Sequence, residues 1–324
     1  MKVYFRYAGA SVSLIWLELP TVLMKDVSSG NNRRYKNCTR RLEYHRHCSR
    51  VRRNCFHAER EGSIIISTSF RELDSLTGGL LPGTLTVVAG RSSMGKTSLV
   101  LGIALHAGIQ QDIGVLIFSV AAQRLEICER LLTAAARVDR ARYINNLLDK
   151  NEFERIIDAA STLTSAPIFV DYRRNITVED ICETARRCRM EQDVKLVIVD
   201  SVQMLKHSGD GSCAEEQYKI GKALKGFVRS SEMTVLAVSN TPWTPANFSR
   251  ENKRFSDMRL RTQVERSADH TFLIFRPETY DHTNLSFEGM IVELALAKHA
   301  SEPTNTLILK WNDPYGIYED EESG

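Results

Sequence analysis

Over most of the chain, apolar residues fall into short runs separated by amphipathic stretches. From Ser63 onward, short continuous apolar runs alternate with longer segments in which apolar residues recur at helical spacing. A strand inside a parallel sheet is buried on both faces, so it reads as a continuous apolar run. The alternation therefore predicts an α/β fold with a central, mostly parallel sheet.

The same pattern predicts where the strands and helices lie. Strands are expected at 85–89, 115–118, 168–170, 196–199 and 235–238, and further strand-like runs lie at 272–275, 291–296 and 306–309. Helices are expected at about 98–105, 125–138, 149–161, 177–190 and 214–230. Thr177 and Asp180 resemble a capping box that opens the fourth of these helices. The polar segment 241–256 is expected to be a loop, and the acidic residues 319–322 a solvated tail.

The first 62 residues differ from the rest, because they show neither strand-like nor helix-like periodicity. Residues 1–60 carry 13 Lys and Arg against 4 Asp and Glu, a net charge of +9. The remaining residues carry 30 against 36, a net charge of −6, and the two parts sum to the overall +3. We predict a basic, disordered N-terminal extension at 1–62 and one folded domain at 63–324.

Composition excludes several classes of protein. Hydrophobic residues make up 43% of the chain and charged residues 26%, which is typical of a soluble globular protein. The sequence has no apolar run of about 18 residues, so a transmembrane helix is not expected. Glu18 and Pro20 interrupt the apolar stretch near the start, which disfavours a signal peptide. The seven scattered cysteines indicate reduced thiols. We therefore expect a cytoplasmic protein with no membrane partner.

A glycine-rich segment between the first strand and the first helix carries the strongest chemical signal. It fits the pattern G-x-x-x-x-G-K-[ST] with Gly90, Arg91, Ser92, Ser93, Met94, Gly95, Lys96 and Thr97, and Ser98 follows. A strand, loop and helix in this order direct backbone N–H groups and a helix N-terminus at phosphates. We expect ATP here, with Lys96 on the β- and γ-phosphates and the Thr97 hydroxyl on Mg²⁺.

A second motif supports a nucleotide site. The apolar strand 196–199 ends in Asp200. In phosphate-loop proteins such an aspartate lies beside the loop and holds the Mg²⁺ shell. Many buried strands end in an aspartate at a turn, so Asp200 alone is weak evidence for a nucleotide site. Its pairing with the phosphate loop is what supports one.

At this point the chain resembles a known family. Ser67-x-x-Phe70-x-x-Leu73-Asp74-x-x-Thr77-Gly78-Gly79-Leu80, the phosphate loop in its Ser-Met-Gly-Lys-Thr form, and Val199-Asp200-x-x-Gln203-Met204-Leu205 resemble the motor domain of DnaB-type replicative DNA helicases. Matches at 220–225, 256–259 and 265–269 extend the resemblance over about residues 63–320. It implies a RecA-like phosphate-loop ATPase core. It also implies a homo-hexameric or mixed helicase ring that moves along single-stranded DNA during DNA replication, with ATP between subunits.

The resemblance also implies roles for single residues. Lys96 and Asp200 would be catalytic, and Gln203 would sense the nucleotide. Lys298 matches a basic residue that reaches the γ-phosphate of the neighbouring subunit. Candidate DNA-binding residues, chosen by position and charge, are Lys222, Lys225, Arg250, Lys253 and Arg254. On charge alone, these residues also fit a solvated helix face and an ordinary surface loop.

Three positions depart from the family pattern. Ala121 stands where the family has a glutamate that activates water, and a methyl group can neither accept a proton nor orient water. Ala300 stands where the family has an arginine finger, whose loss costs about 10³–10⁵ in rate. Asn240 replaces a glutamine, which is a milder change.

Three functional hypotheses follow from these departures. The first is an ATP-dependent DNA helicase motor, in which Glu126 or a neighbouring subunit supplies the missing carboxylate. The second is an ATP-binding, hydrolysis-deficient paralogue that joins or regulates a helicase ring. The third is a non-functional remnant. The first is the leading hypothesis.

The basic extension admits more than one interpretation. Arginines interleaved with tyrosine and histidine suit nucleic acid. A zinc site would draw on Cys38, Cys48, Cys55, His45, His47 and His57. Their spacing fits no common zinc pattern, so a disordered extension is the preferred interpretation. The helical N-terminal domain and the linker helix of the family are not recognisable in this segment.

Overall fold

The computed structural model describes residues 64–120, 122–206, 212–240, 263–276, 290–298 and 306–320, and the backbone of three short strands before them. The short strands are β1 (Arg6–Tyr7), β2 (Ala10–Ser11) and β3 (Lys25–Asp26). The others are β4 (Leu85–Gly90), β5 (Gly114–Ser119), β6 (Ile168–Asp171), β7 (Val194–Asp200), β8 (Thr234–Asn240), β9 (His270–Phe275), β10 (Met290–Lys298), β11 (Thr306–Asn312) and β12 (Ile317–Asp320).

Eight α-helices lie in the described part of the chain. They are α1 (Arg71–Thr77), α2 (Lys96–Leu105), α3 (Arg124–Ala136), α4 (Arg140–Ile144), α5 (Lys150–Ser165), α6 (Val178–Gln192), α7 (Cys213–Ser231) and α8 (Gln263–Ser267). A π-helical turn (His106–Gln110) extends α2, and a 3₁₀ turn (Val202–Met204) follows β7. Among the residues that the structure describes, no α-helix has both the length and the apolar character of a membrane span.

The strands form one ten-stranded sheet in the order β12-β11-β10-β9-β4-β8-β7-β5-β6-β3. From β3 to β9 neighbouring strands are parallel, and from β9 to β12 they are antiparallel. The mostly parallel sheet confirms the predicted α/β fold. It also brings the carboxyl ends of β4, β5, β7 and β8 to one edge, where ligands bind in open α/β sheets.

The core lies on both faces of the sheet. In β7, Ile198 belongs to one apolar cluster, whereas Val197 and Val199 belong to the cluster on the other face. The first cluster is formed with α2, α3 and α5, and the second with α6 and α7. Burial on both faces is the physical reason why these strands are apolar at nearly every position.

The helix starts agree with the sequence pattern. Thr177 and Asp180 form the predicted capping box at the start of α6. Asp149 with Glu152 caps α5 in the same way, and Ser212 with Glu215 caps α7. Each box satisfies backbone N–H groups that a helix leaves free in its first turn.

Some predictions differ from the structure. Helices α1 and α4 and strand β12 are absent from the predicted set because each is too short to show a period. The solvated tail predicted at 319–322 is wrong for its first two residues. Glu319 pairs with Arg137 at 2.9 Å, and Asp320 accepts a hydrogen bond from the Arg71 backbone N–H at 3.1 Å.

The described cysteines do not form disulfides. Cys128, Cys182 and Cys188 are buried, and Cys213 is exposed. Burial raises the pKa of each of the three buried thiols to about 11, so they stay protonated at neutral pH.

Candidate nucleotide-binding site

The glycine-rich loop joins the end of β4 to the start of α2. Gly95 is the N-cap of α2 with φ 84°, in the left-handed region that glycine adopts without strain. Arg91, Ser92 and Ser93 are exposed at the tip, and Thr97 and Ser98 are half-buried in the first turn of α2. The tip is therefore open to a ligand, and the first turn of α2 faces it with backbone N–H groups.

Lys96 lies inside the curve of the loop. Its side chain is only 5% exposed, and Nζ donates a hydrogen bond to the Arg91 carbonyl at 2.5 Å. Burial lowers the pKa of Lys96 to about 8, and the charge of Asp200 opposes this shift. The ammonium is thus held at the loop, where an anionic ligand would offset the cost of burying its charge.

Thr97 and Asp200 meet beside Lys96, although 103 residues separate them along the chain. The Thr97 hydroxyl donates to Asp200 Oδ2 at 2.6 Å. Burial raises the pKa of Asp200, while the hydrogen bond from Thr97 and the charges of Lys96 and Arg130 lower it. The loop and the second motif therefore form one cluster, as the sequence predicts.

Gln203 bridges the ends of two strands at the same edge. Its Nε2 donates to Ser239 Oγ at 2.9 Å and to the Asn240 carbonyl at 3.3 Å. Its Oε1 accepts the Asn240 backbone N–H at 3.0 Å. The Ser239 hydroxyl donates onward to the fully buried Glu265 at 3.4 Å. Ser239 and Glu265 carry no predicted role, although the resemblance singles out the segment 265–269.

Glu126 lies in the first turn of α3, which begins beyond the carboxyl end of β5. Glu126 Oε1 accepts hydrogen bonds from Arg130 Nη2 at 2.6 Å and Nε at 3.0 Å. The charges of both residues reach Asp200, because Arg130 lowers its pKa and Glu126 raises it. An ion pair on α3 therefore lies within electrostatic range of the phosphate-loop cluster.

The two candidate DNA-binding lysines of α7, Lys222 and Lys225, have different surroundings. Lys222 is exposed. The Lys225 ammonium contacts both carboxylate oxygens of Asp269, which also accepts the Leu85 backbone N–H at 2.8 Å. Asp269 and Leu85 lie where β9 and β4 begin, at the sheet edge opposite the phosphate loop. DNA binding stays a prediction for both lysines, and the structure gives Lys225 a structural partner.

Several predicted positions lie outside the described residues. They are Ala121, Ala300, Arg250, Lys253, Arg254 and the six cysteines and histidines of the suggested zinc site. Lys298 is described only as backbone, where it pairs with Thr271 after a register shift between β9 and β10. Within the described ranges, no group of three or more His, Cys, Asp or Glu could hold a metal ion.

Comparison with known proteins decides the family. The model of the DnaB-like helicase C terminal domain matches residues 65–320. This chain belongs to that family. The replicative DNA helicase DnaB of Leifsonia xyli subsp. xyli is 30% identical over 264 residues, which cover 81% of this chain and 57% of the relative. The DnaB of Geobacillus stearothermophilus is 28% identical over 262 residues, 80% of this chain and 57% of the relative. The chain thus spans little more than half the length of these DnaB relatives.

Solved structures agree with the fold of the DnaB-like family. One solved ATPase domain superposes with a TM-score of 0.73 and 24% sequence identity, and the match covers 80% of this chain and 92% of that domain. A DnaB-like replicative helicase, solved to show its interactions with primase, gives the same TM-score and identity over 80% of this chain and 62% of its own. These likenesses confirm the predicted RecA-like fold.

Proposed function

We propose that this chain is the ATP-dependent motor domain of a replicative DNA helicase and that it translocates on single-stranded DNA in DNA replication. The observation that carries the proposal is the cluster of Lys96, Thr97 and Asp200 at the phosphate loop of a DnaB-like fold. Family membership supplies the helicase context, and the cluster supplies groups that suit a bound nucleotide. We also propose that the chain acts in the cytoplasm, as part of a homo-hexameric or mixed helicase ring.

ATP would occupy the loop 90–97 with Mg²⁺ beside it. Backbone N–H groups at the exposed tip and in the first turn of α2 would bind the phosphates. Lys96 would contact the β- and γ-phosphates, and its pKa would rise as they approach. Lys298 would reach the nucleotide of a neighbouring subunit, and Gln203 would link the site to the ends of β7 and β8.

The oxygen atoms near the loop suit Mg²⁺. Asp200 is 8% exposed, and its carboxylate lies at hydrogen-bond distance from the Thr97 hydroxyl. Hard oxygen donors of this kind are the ligands that Mg²⁺ prefers. When bound, Mg²⁺ neutralises charge on the phosphate oxygens. Thr97 and Asp200 would hold the ion, and the Thr97 hydroxyl would give up its hydrogen bond to Asp200 when the ion binds.

Hydrolysis requires a group that orients water, and Ala121 does not supply one. Glu126 is the carboxylate of α3 whose charge reaches Asp200. In this structure its Oε1 is bound by Arg130, so acting on water would require release from that ion pair.

A second candidate function is an ATP-binding paralogue that joins or regulates a helicase ring without turnover. The alanines at 121 and 300 favour it.

Steady-state ATP hydrolysis with and without single-stranded DNA tests the proposal. We expect turnover that DNA stimulates and that Lys96→Ala abolishes. Glu126→Gln should lower turnover by about 10²–10⁴ if Glu126 acts on water, since this is the range for general acid–base groups. The matched control Glu154→Gln, an exposed residue of α5, should leave turnover unchanged.

The outcomes separate the hypotheses. Nucleotide binding without turnover supports the hydrolysis-deficient paralogue. Turnover that Lys96→Ala abolishes but Glu126→Gln leaves intact excludes Glu126 and keeps the motor. A folded chain that does not bind ATP contradicts both functions and supports a remnant.

A further inference from the structure

The last strand of the sheet brings a tyrosine against the phosphate loop. Tyr318 of β12 is 7% exposed, and its hydroxyl donates a hydrogen bond to the Met94 carbonyl at 3.1 Å. A Cβ added at Gly95 would collide with the same hydroxyl. The tyrosine therefore contacts the loop directly at the residue before α2, although 224 residues separate it from Met94 along the chain.

The Tyr318 ring is held by other aromatic and charged groups. Its centroid lies 4.7 Å from that of Trp311 on the adjacent strand, with the rings tilted by 51°. The Trp311 indole N–H donates to Asp313 at 2.9 Å, and the Arg276 guanidinium lies 4.9 Å from the Trp311 centroid. Aromatic contacts of this kind fix ring orientation beyond simple burial.

The backbone around Tyr318 is fixed from outside the hairpin as well. Asp320 accepts the Arg71 backbone N–H at the start of α1, at 3.1 Å. The Pro314 carbonyl accepts the Arg140 backbone N–H at the start of α4, at 3.2 Å. The Arg137–Glu319 ion pair is more exposed to solvent and therefore contributes little to holding β12 in place. Tyr318 therefore projects from an anchored strand rather than from a free end.

The hydrogen bond determines how the peptide between Met94 and Gly95 is oriented. In a trans peptide the carbonyl and the following N–H point in opposite directions. Holding the Met94 carbonyl toward Tyr318 directs the Gly95 N–H away from β12. The same hydrogen bond keeps the Met94 carbonyl oxygen, which would repel phosphate, on the side of the loop that faces β12.

We propose that Tyr318 is a positioning residue for nucleotide binding, acting through the Met94–Gly95 peptide of the phosphate loop. The inference rests on the proposed function, because it assumes that ATP binds at this loop. It assigns the antiparallel end of the sheet a role in the site: β12 keeps the loop in the conformation that receives phosphates. Tyr318 does not itself contact the nucleotide.

The test is the affinity of Tyr318→Phe for a non-hydrolysable ATP analogue with Mg²⁺, measured on the full chain by calorimetry. Phenylalanine keeps the ring and its contact with Trp311 and removes only the hydroxyl. The loss of one neutral hydrogen bond predicts binding weaker by about three- to tenfold. Turnover at saturating ATP should change by less than about twofold, since the residue positions the loop and takes no part in the chemical step. Tyr318→Leu, which also removes the ring, should weaken binding further.

The matched control is Tyr315→Phe, in the turn between β11 and β12, which should bind the analogue like the unmodified chain. Thermal unfolding of each variant separates loop positioning from folding. Unchanged affinity for Tyr318→Phe, with Lys96→Ala still defective, overturns the inference and leaves the proposed function intact. Equal weakening by Tyr315→Phe also overturns it. A folded, unmodified chain that does not bind the analogue overturns both.

Discussion

Two lysine–aspartate clusters lie at opposite edges of the same sheet, and their geometry differs. At the carboxyl edge, Lys96 donates to a backbone carbonyl while Asp200 accepts from a threonine hydroxyl. At the amino edge, the Lys225 ammonium contacts both carboxylate oxygens of Asp269 directly. The first cluster holds two buried charges that interact without sharing a hydrogen bond. The second neutralises its charges in one ion pair.

The difference supports the proposal that Lys96 serves nucleotide binding, whereas Lys225 serves folding. A buried ion needs a partner to offset the loss of water. Asp269 supplies that partner to Lys225, and its bond to the Leu85 N–H ties α7 to the starts of β4 and β9. Lys96 lacks an equivalent contact, and its pKa falls to about 8. A phosphate group would restore the missing interaction, so the cost of burial favours ligand binding.

The largest expected effect comes from Lys96→Ala. Its affinity for the ATP analogue should fall by at least about thirtyfold, because truncating one partner of a buried charged contact costs about 2–5 kcal/mol. The free energy of unfolding without nucleotide should fall by less than it does for Lys225→Met, since the variant also removes a charge that is costly to bury. Calorimetry and urea unfolding measure the two quantities. A large loss of stability with little loss of affinity would reverse the comparison.

An effect of similar size, on stability instead of nucleotide affinity, is expected from Lys225→Met. The free energy of unfolding should fall by about 3 kcal/mol, because Asp269 is left partly buried without its cation. Nucleotide affinity of the folded variant should stay within about twofold, since the residue lies at the opposite edge of the sheet. The control Lys222→Met, on the exposed face of the same helix, should change stability by less than about 0.5 kcal/mol. Stability equal to that of the control would show that the ion pair contributes nothing.

Much of the fold and part of the candidate site can be predicted from the sequence because they depend on local pattern. Strands buried on both faces read as apolar runs, and the loop 90–97 has a fixed spacing. Parallel strands must also end at one edge, which places Asp200 near Thr97. These features need only neighbouring residues and general rules of sheet topology.

The parts that the sequence does not reveal depend on contacts between distant segments. In the sequence Lys225 resembles a surface cation, because nothing in the local pattern indicates that Asp269 lies beside it. The last two residues of β12 belong to the segment predicted as an acidic tail, and no predicted strand includes the buried Tyr318. The Gln203–Ser239–Glu265 chain likewise joins residues from three separate elements.

The central claim is that the Lys96, Thr97 and Asp200 cluster is the nucleotide site. A structure of the chain with a non-hydrolysable ATP analogue and Mg²⁺ tests it most directly. We expect the triphosphate along residues 90–97, with Lys96 Nζ on the β- and γ-phosphates and the metal beside Thr97 and Asp200. A triphosphate bound elsewhere, with the Lys96–Arg91 and Thr97–Asp200 hydrogen bonds intact, would contradict the assignment.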